Sequence, residues 1–265
     1  MPKWLNWSVF YELTEIYTAP LNVMWFILGA AIVQYHVHTV DWINVGLCLA
    51  VVFIFDLAVN VADNYYDYLH AHDREDYAQK TNPIGRLHLP AKGVFWLAWV
   101  LYAVAAIPGI VLVMRTGWSV AVFGVVGYLI GIFYTAGPHP INATPVSAAV
   151  VALAIAFGIQ LTCVYVSIYG QQPLSWSIVG TTFLLCMPLT LIFFTVQLAN
   201  DTSDRDEDIA NHRYTLAVIL LPVMWRGMRP FFAIQDKRKT FMAMVKSASL
   251  FFIAYPVLFA LGTWL

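Results

Sequence analysis

The stretch from Ile43 to Asp67, INVGLCLAVVFIFDLAVNVADNYYD, begins as an apolar run and ends as a ladder of oxygen-bearing side chains. A helix needs about 20 mostly apolar residues to cross a hydrocarbon core, and Ile43–Ala62 meets that length. Toward its end Asn60, Asp63, Asn64 and Asp67 stand at i, i+3, i+4 and i+7, which puts all four on one helical face. Asp56 extends the stripe one turn deeper, where an ionisable group is costly and faces a cavity or a partner. The stretch therefore reads as a membrane-spanning helix with reactive chemistry at one end.

Six further segments have comparable length and polarity: Ala19–Tyr35, Gly93–Met114, Trp118–Ala136, Val146–Ile168, Ser177–Leu198 and Phe241–Leu265. Together they predict an all-α transmembrane bundle of about seven spans, and Thr215–Trp225 is apolar but too short to cross. The composition agrees, since 60% of the 265 residues are hydrophobic and 11% charged, with a mean hydropathy of +0.70. A soluble domain carries roughly a quarter charged residues. A net charge of −1 excludes a protein that coats nucleic acid with positive charge. Cys48, Cys163 and Cys186 lie in separate apolar runs without the spacing of a zinc or iron–sulfur site, and read as packed thiols. Met1–Leu13 mixes Lys3, Trp4, Asn6, Trp7 and Glu12 with no clean apolar core, so the first span is expected to serve as its own signal. Residues 1–265 are expected to form a single integral-membrane domain.

Lysine and arginine set the expected orientation. Ala71–Lys92 holds Arg74, Lys80, Arg86 and Lys92, and Asp201–Tyr214 holds Arg205 and Arg213, whereas the His36–Trp42 and Gly170–Trp176 turns hold none. Alternating crossings bring both basic loops to one side, expected to be the cytoplasm, with Arg115 opposite.

Ten of the fifteen acids fall in two windows, Asp63, Asp67, Asp73, Glu75 and Asp76 in one and Asp201, Asp204, Asp206, Glu207 and Asp208 in the other. In the second window Asn200, Asp204 and Asp208 follow i, i+4, i+8, with Asp201 beside them. Two stripes of carboxylate and carboxamide are expected to face one another across a pocket. Like charges so placed repel and raise each other's pKa unless a cation lies between them. Mg²⁺ meets that need, commonly with one or two carboxylates plus water and substrate phosphate. Arg74, Lys80, Arg86, Arg205 and Arg213 suit an anionic ligand. The pattern points to a magnesium-bridged diphosphate site. The competing reading, a solvated acidic loop at each helix end, does not call for stripes that run down into the apolar segments.

These residues resemble the UbiA superfamily of intramembrane prenyltransferases, whose mark is two aspartate-rich motifs, N-D-x-x-D and D-x-x-x-D. The counterparts here are Asn60-Val61-Ala62-Asp63-Asn64-Tyr65-Tyr66-Asp67 and Asn200-Asp201-Thr202-Ser203-Asp204-Arg205-Asp206-Glu207-Asp208. Within that superfamily the chain resembles the 1,4-dihydroxy-2-naphthoate polyprenyltransferases of menaquinone biosynthesis. Phe133-Tyr134-Thr135-Ala136-Gly137-Pro138-His139-Pro140 is similar to their F-Y-T-G-G-P-x-P segment, His212-Arg213-Tyr214-Thr215-Leu216-Ala217-Val218 to their K-R-T-L-A-V, and Asp73 to a further aspartate after the first motif. The likeness covers roughly residues 18–218. Asp63 precedes Asn64 where the family places Asn first, so the first metal ligand is expected from the neighbouring position or from a carboxamide. The family runs on for two or more helices where only Phe241–Leu265 remains here, and Pro222, Arg226, Arg229 and Pro230 interrupt the region before it. A shortened C-terminus and an incompletely walled pocket are therefore expected.

The resemblance implies Mg²⁺-dependent transfer of a polyprenyl chain from an allylic polyprenyl diphosphate to an aromatic acceptor, 1,4-dihydroxy-2-naphthoate, giving demethylmenaquinone in a bacterial cell membrane. Homogentisate and 4-hydroxybenzoate are the alternative acceptors. Asp67, Asp204 and Asp208 are expected to be metal ligands, with Asp63, Asn64, Asn60, Asn200 and Asp201 in support and Lys80, Arg86 and Arg213 on phosphate oxygens. Aromatic faces steady positive charge, and Tyr65, Tyr66 and Tyr134 lie near the expected mouth. A secondary transporter is the rival from another class, yet transporters hold their charges near the midplane, whereas these crowd at one face. A CDP-alcohol phosphotransferase would gather its aspartates into one motif rather than two. His70 and His72, at i, i+2, point apart on a helix and make no metal pair. Gly127 and Gly131 form a small-xxx-small pair suited to close helix packing. Asn142-Ala143-Thr144 matches a glycosylation sequon on the side where glycosylation does not occur.

Overall fold

A computed structural model describes residues 2–19, 21–216 and 237–264, and the described residues contain helices and no strand. The helices are α1 (Trp7–Thr14), α2 (Leu21–Val37), α3 (Trp42–His70), the short α4 (Pro83–Arg86), α5 (Ala91–Thr116), α6 (Ser119–Thr135), α7 (Ser147–Ile168), α8 (Trp176–Ser203), α9 (Arg205–Ala210) and α10 (Lys237–Trp264). Each of the seven expected segments coincides with one of the long helices. Four of these, α3, α5, α7 and α8, are 22 to 29 residues long and apolar enough to cross a membrane. The other three carry shorter apolar stretches, Asn22–Val37, Ser119–Thr135 and Ala248–Trp264. Apart from Thr215 and Leu216, the Thr215–Trp225 segment lies outside the described residues, as do Pro222, Arg226, Arg229 and Pro230.

Local chemistry sets the boundaries. The Asp41 carboxylate accepts from the Ile43 and Asn44 amides at the start of α3, and the Ser175 hydroxyl accepts from Ile178 at the start of α8. Gly117, at φ +77°, ends α5 in a conformation that side-chain-bearing residues avoid. Beyond the expected end at Ala62, α3 continues to His70, which puts Asp63 and Asp67 on a regular helix rather than in a loop. Two carboxamides of that same stripe anchor it: Asn60 Nδ2 donates to the Thr14 carbonyl at 3.0 Å and Asn64 Nδ2 to the Leu13 carbonyl at 3.3 Å. These carbonyls belong to the last turn of α1, whose acceptors have no partner within the helix.

One apolar core joins Trp25, Leu28 and Ile32 of α2 to Cys48, Cys163, Cys186 and Leu189, and Phe252 and Tyr255 of α10 pack against it. A second joins Leu5, Val9 and Leu13 to Ala58, Val61 and Ala62 of α3 and to Val94, Ala98 and Tyr102 of α5. Outward-facing positions are also apolar, including Trp96, Ile107, Met114, Val122, Leu184 and Leu191. A helical protein that is apolar on its outside as well as its inside is solvated by lipid; the chain is an integral membrane protein.

At one end of the bundle the Asn211 carboxamide oxygen accepts from the backbone amides of His72 (3.0 Å) and Asp73 (3.3 Å), and the His72 and His212 rings meet edge to face. The loops after α3 and after α9 are thereby fastened together. At the other end Arg115 lies 3.7 Å from Asp41, and Trp42 stacks on Trp264.

Candidate active site

The C-terminal end of α3 brings the first acidic window to the fastened end of the bundle, and the last turn of α8 with α9 brings the second. Arg213 joins them. Its guanidinium pairs with the Asp67 carboxylate and lies 3.9 Å from Asp208 Oδ1. One cation thus reaches both windows, which places Asp67 and Asp208 around a common basin.

Several further side chains contact the acids around that pair. Tyr77, in a π-turn at Tyr77–Thr81, donates its hydroxyl to Asp67 Oδ2 at 3.0 Å. Asn142, in the 3₁₀ turn Ile141–Ala143, donates its amide to Asp63 Oδ1 at 3.3 Å. Thr215 donates to Asp208 Oδ2 at 3.1 Å, and Asp208 is 5% exposed. Asp201 Oδ2 is buried with no hydrogen-bond partner. Tyr134 lies in the last turn of α6. Asn200 contributes its backbone carbonyl, which accepts from the Asp204 amide and ends α8.

Other expected site residues stand elsewhere. Lys80 pairs with Asp76 on the exposed side of the π-turn, and Arg86 pairs with Glu12 of α1, so neither faces the basin. Tyr65 and Tyr66 turn to the opposite face of α3, where they line a cleft with Phe95, Trp99 and Tyr102. Asn60 and Asn64 spend their amides on the end of α1. The Asn22 amide donates to the deeper acid of the stripe, Asp56, at 3.0 Å. Tyr77, Asn142, Asn211 and Thr215 are the site residues that sequence reasoning missed. Asn142 carries a visible signal, a carboxamide two residues after Pro140 of the Pro138-His139-Pro140 segment, which the sequon reading masks.

The electrostatics follow from crowding acids into a sheltered basin. Burial pushes the Asp204 carboxyl up to about 6, with Glu207 adding to the rise and Arg213 opposing it. Burial pushes Asp208 up to about 7 against the opposition of Arg213 and Thr215. Near neutral pH Asp208 is therefore only partly ionised, and a bound cation would expel its proton, whereas Asp204 is mostly ionised. Tyr77 is raised by burial first and by the Asp67 charge second, so its hydroxyl stays protonated and keeps donating.

The donor set is all oxygen, and the buried Asp201 oxygen lacks a donor; hard divalent cations take such ligands. Among the described residues no three His, Cys, Asp or Glu side chains form a ready-made cage. Instead the Arg213 guanidinium stands between the windows.

The UbiA prenyltransferase family model matches residues 23–265. The chain belongs to that family. One UbiA relative, the 1,4-dihydroxy-2-naphthoate octaprenyltransferase of Bacillus subtilis (strain 168), is 26% identical over 218 residues, 80% of this chain, and the chain spans 66% of that relative's length. A UbiA homologue from Archaeoglobus fulgidus bound to DMAPP and Mg²⁺ superposes with a TM-score of 0.56 at 14% identity, covering 95% of this chain and 85% of the other. The same homologue bound to GPP and Mg²⁺ gives 0.56 at 16%, over 96% and 86%. At such identities the likeness is one of fold, and it agrees with the helical bundle described above.

Proposed function

We propose that this UbiA-family chain transfers a polyprenyl group from an allylic polyprenyl diphosphate to 1,4-dihydroxy-2-naphthoate, giving demethylmenaquinone, at the cytoplasmic face of a bacterial cell membrane. The observation that carries the reading is the convergence of two acidic windows and one arginine at a single end of a lipid-solvated bundle. The name of the Bacillus subtilis relative supports the acceptor. The allylic diphosphates and Mg²⁺ bound to the Archaeoglobus fulgidus homologue support the donor and the metal.

Asp67, Asp204 and Asp208 would hold Mg²⁺, with Asp63, Asn64, Asn60, Asn200 and Asp201 in support; the ion supplies charge neutralisation at the departing diphosphate. Ionising the allylic C–O bond sends the electron pair to the diphosphate. Arg213 is placed to grip those oxygens through its planar fork, a contact that strengthens as negative charge develops. Tyr77 holds Asp67 in register. The apolar interior keeps water from the allylic cation, and Tyr134, in the last turn of α6, would offer it a π face. The acceptor ring closes the new C–C bond, and its carboxylate leaves as carbon dioxide. Lys80 and Arg86 face away and have no part in this scheme.

The test is incubation of the purified chain in detergent with Mg²⁺, a polyprenyl diphosphate and each ring in turn (1,4-dihydroxy-2-naphthoate, homogentisate, 4-hydroxybenzoate), with mass analysis of the lipid extract. Prenylated naphthoate product is expected, together with loss of Mg²⁺-dependent diphosphate release in Asp67→Asn. Alkylation of another ring alone reassigns the acceptor. Diphosphate release that survives Asp67→Asn refutes the site.

A further inference from the structure

Asn142 comes from a part of the chain that belongs to neither acidic window, yet its side chain enters the basin. Its Nδ2 donates to Asp63 Oδ1 at 3.3 Å and acts on Asp67 as well. With the nitrogen committed to the first window, the carboxamide oxygen is turned elsewhere. Asn142 Oδ1 is buried and has no hydrogen-bond partner. A buried carbonyl oxygen without a donor is costly, and such groups in folded proteins are nearly always satisfied.

The turn that carries Asn142 is fixed rather than loose. Pro140 enters it in extended geometry at φ −68°, and Thr144 N closes it on the Ile141 carbonyl at 3.0 Å. The Ala143 carbonyl accepts from Tyr214 N at 3.0 Å, which bolts the turn to the neighbour of Arg213. The carboxamide is thus held between the first window and the segment that supplies the bridging arginine. A neutral oxygen in such a place adds a ligand without adding to the repulsion among five acids, and hard divalent cations accept amide oxygens alongside carboxylates.

Building on the proposed magnesium-dependent reading, we propose that Asn142 Oδ1 is a metal ligand supplied by a third segment of the chain, held in position by the hydrogen bond from its own Nδ2 to Asp63. The site is then three-sided: α3, the α8–α9 corner and the Ile141–Ala143 turn each contribute oxygen.

The experiment uses the full chain in detergent and Mn²⁺ as the probe, with bound ion read by loss of the free-ion electron paramagnetic resonance signal. Asn142→Ala removes both functions and is expected to weaken Mn²⁺ binding at least about tenfold, the usual loss when a supporting ligand or its partner is deleted. Asn142→Asp keeps an oxygen and adds charge, so its Mn²⁺ affinity is expected to equal or exceed that of the unmodified chain, while its metal-free melting temperature falls because a carboxylate then faces Asp63. A merely structural asparagine would weaken binding in both variants. Equal Mn²⁺ affinity in Asn142→Ala, or weakening in both variants, overturns the assignment. Absence of Mn²⁺ binding in the unmodified chain overturns it together with the metal-dependent reading of the whole site, whereas a chain that binds Mn²⁺ and ignores Asn142 leaves that reading intact.

Discussion

Arg213 does in this structure what a divalent cation would do in a working site: it stands between carboxylates that would otherwise repel one another. Its side chain is 25% exposed and that of Asp67 14%, so the pair is sheltered and more than a surface ion pair. A cation arriving at Asp67 must therefore compete with a guanidinium, and a diphosphate arriving with it offers that guanidinium a better anion. This exchange predicts opposite signs for two affinities. In Arg213→Gln, Mn²⁺ alone should bind more tightly than in the unmodified chain, because the resident competitor is gone, while Mg²⁺-dependent pyrophosphate binding should weaken about tenfold or more. Titration calorimetry of the two ligands checks both. Arg213→Lys should fall between, since it keeps the charge but not the two-pronged geometry. If both affinities fall together in Arg213→Gln, the residue is holding the basin in shape rather than exchanging partners.

The long helices were legible because their apolar runs are long, and a run of that length has few other uses. The acidic stripes were legible for a related reason: helical spacing survives wherever no Gly or Pro breaks it, and none falls between Asp56 and His70. The packing role of Gly131 was legible too, since a Cβ there would lie 2.4 Å from the Phe55 ring, although Gly127 meets nothing within 4 Å. The short elements were not legible. The π-turn Tyr77–Thr81 and the 3₁₀ turn Ile141–Ala143 are too brief for periodicity, so Tyr77 and Asn142 could not be placed. The basic loop residues misled because a charge pattern does not say which acid each base will meet: Lys80 found Asp76 and Arg86 found Glu12. Gly85 shows how tightly these brief elements are stacked. A Cβ there would lie 2.0 Å from the Ala78 carbonyl oxygen and 2.8 Å from Gln79 Cα, both backbone atoms that cannot swing aside. Gly85→Ala should push the π-turn off α4, carry Tyr77 away from Asp67 and lower prenyl transfer along with the melting temperature. Tyr77→Phe, which removes only the hydroxyl, should reproduce part of the activity loss with the melting temperature nearly unchanged. Full activity in Gly85→Ala would mean that the turn does not position Asp67.

The bundle as a whole is polar at one end and plain at the other, and this asymmetry has a consequence for how it sits in lipid. Asn211 ties the loops after α3 and α9 to one another, so Lys80 and Asp206 must share a side of the membrane. Trp118 and Trp176 begin helices whose far ends approach that basin, and they are 83% and 89% exposed, as residues at the opposite boundary should be. The three native thiols are buried and give little background to an impermeant reagent. Single cysteines at these four positions therefore report orientation directly. In sealed vesicles of known sidedness, Lys80→Cys and Asp206→Cys should react with an impermeant maleimide only from the cytoplasmic side, and Trp118→Cys and Trp176→Cys only from the other. Reaction of the first pair from the outer side alone would invert the orientation while preserving a one-sided site. Reaction of Lys80→Cys and Asp206→Cys from different sides would separate the two acidic windows across the bilayer, and no shared basin around Arg213 would survive that result.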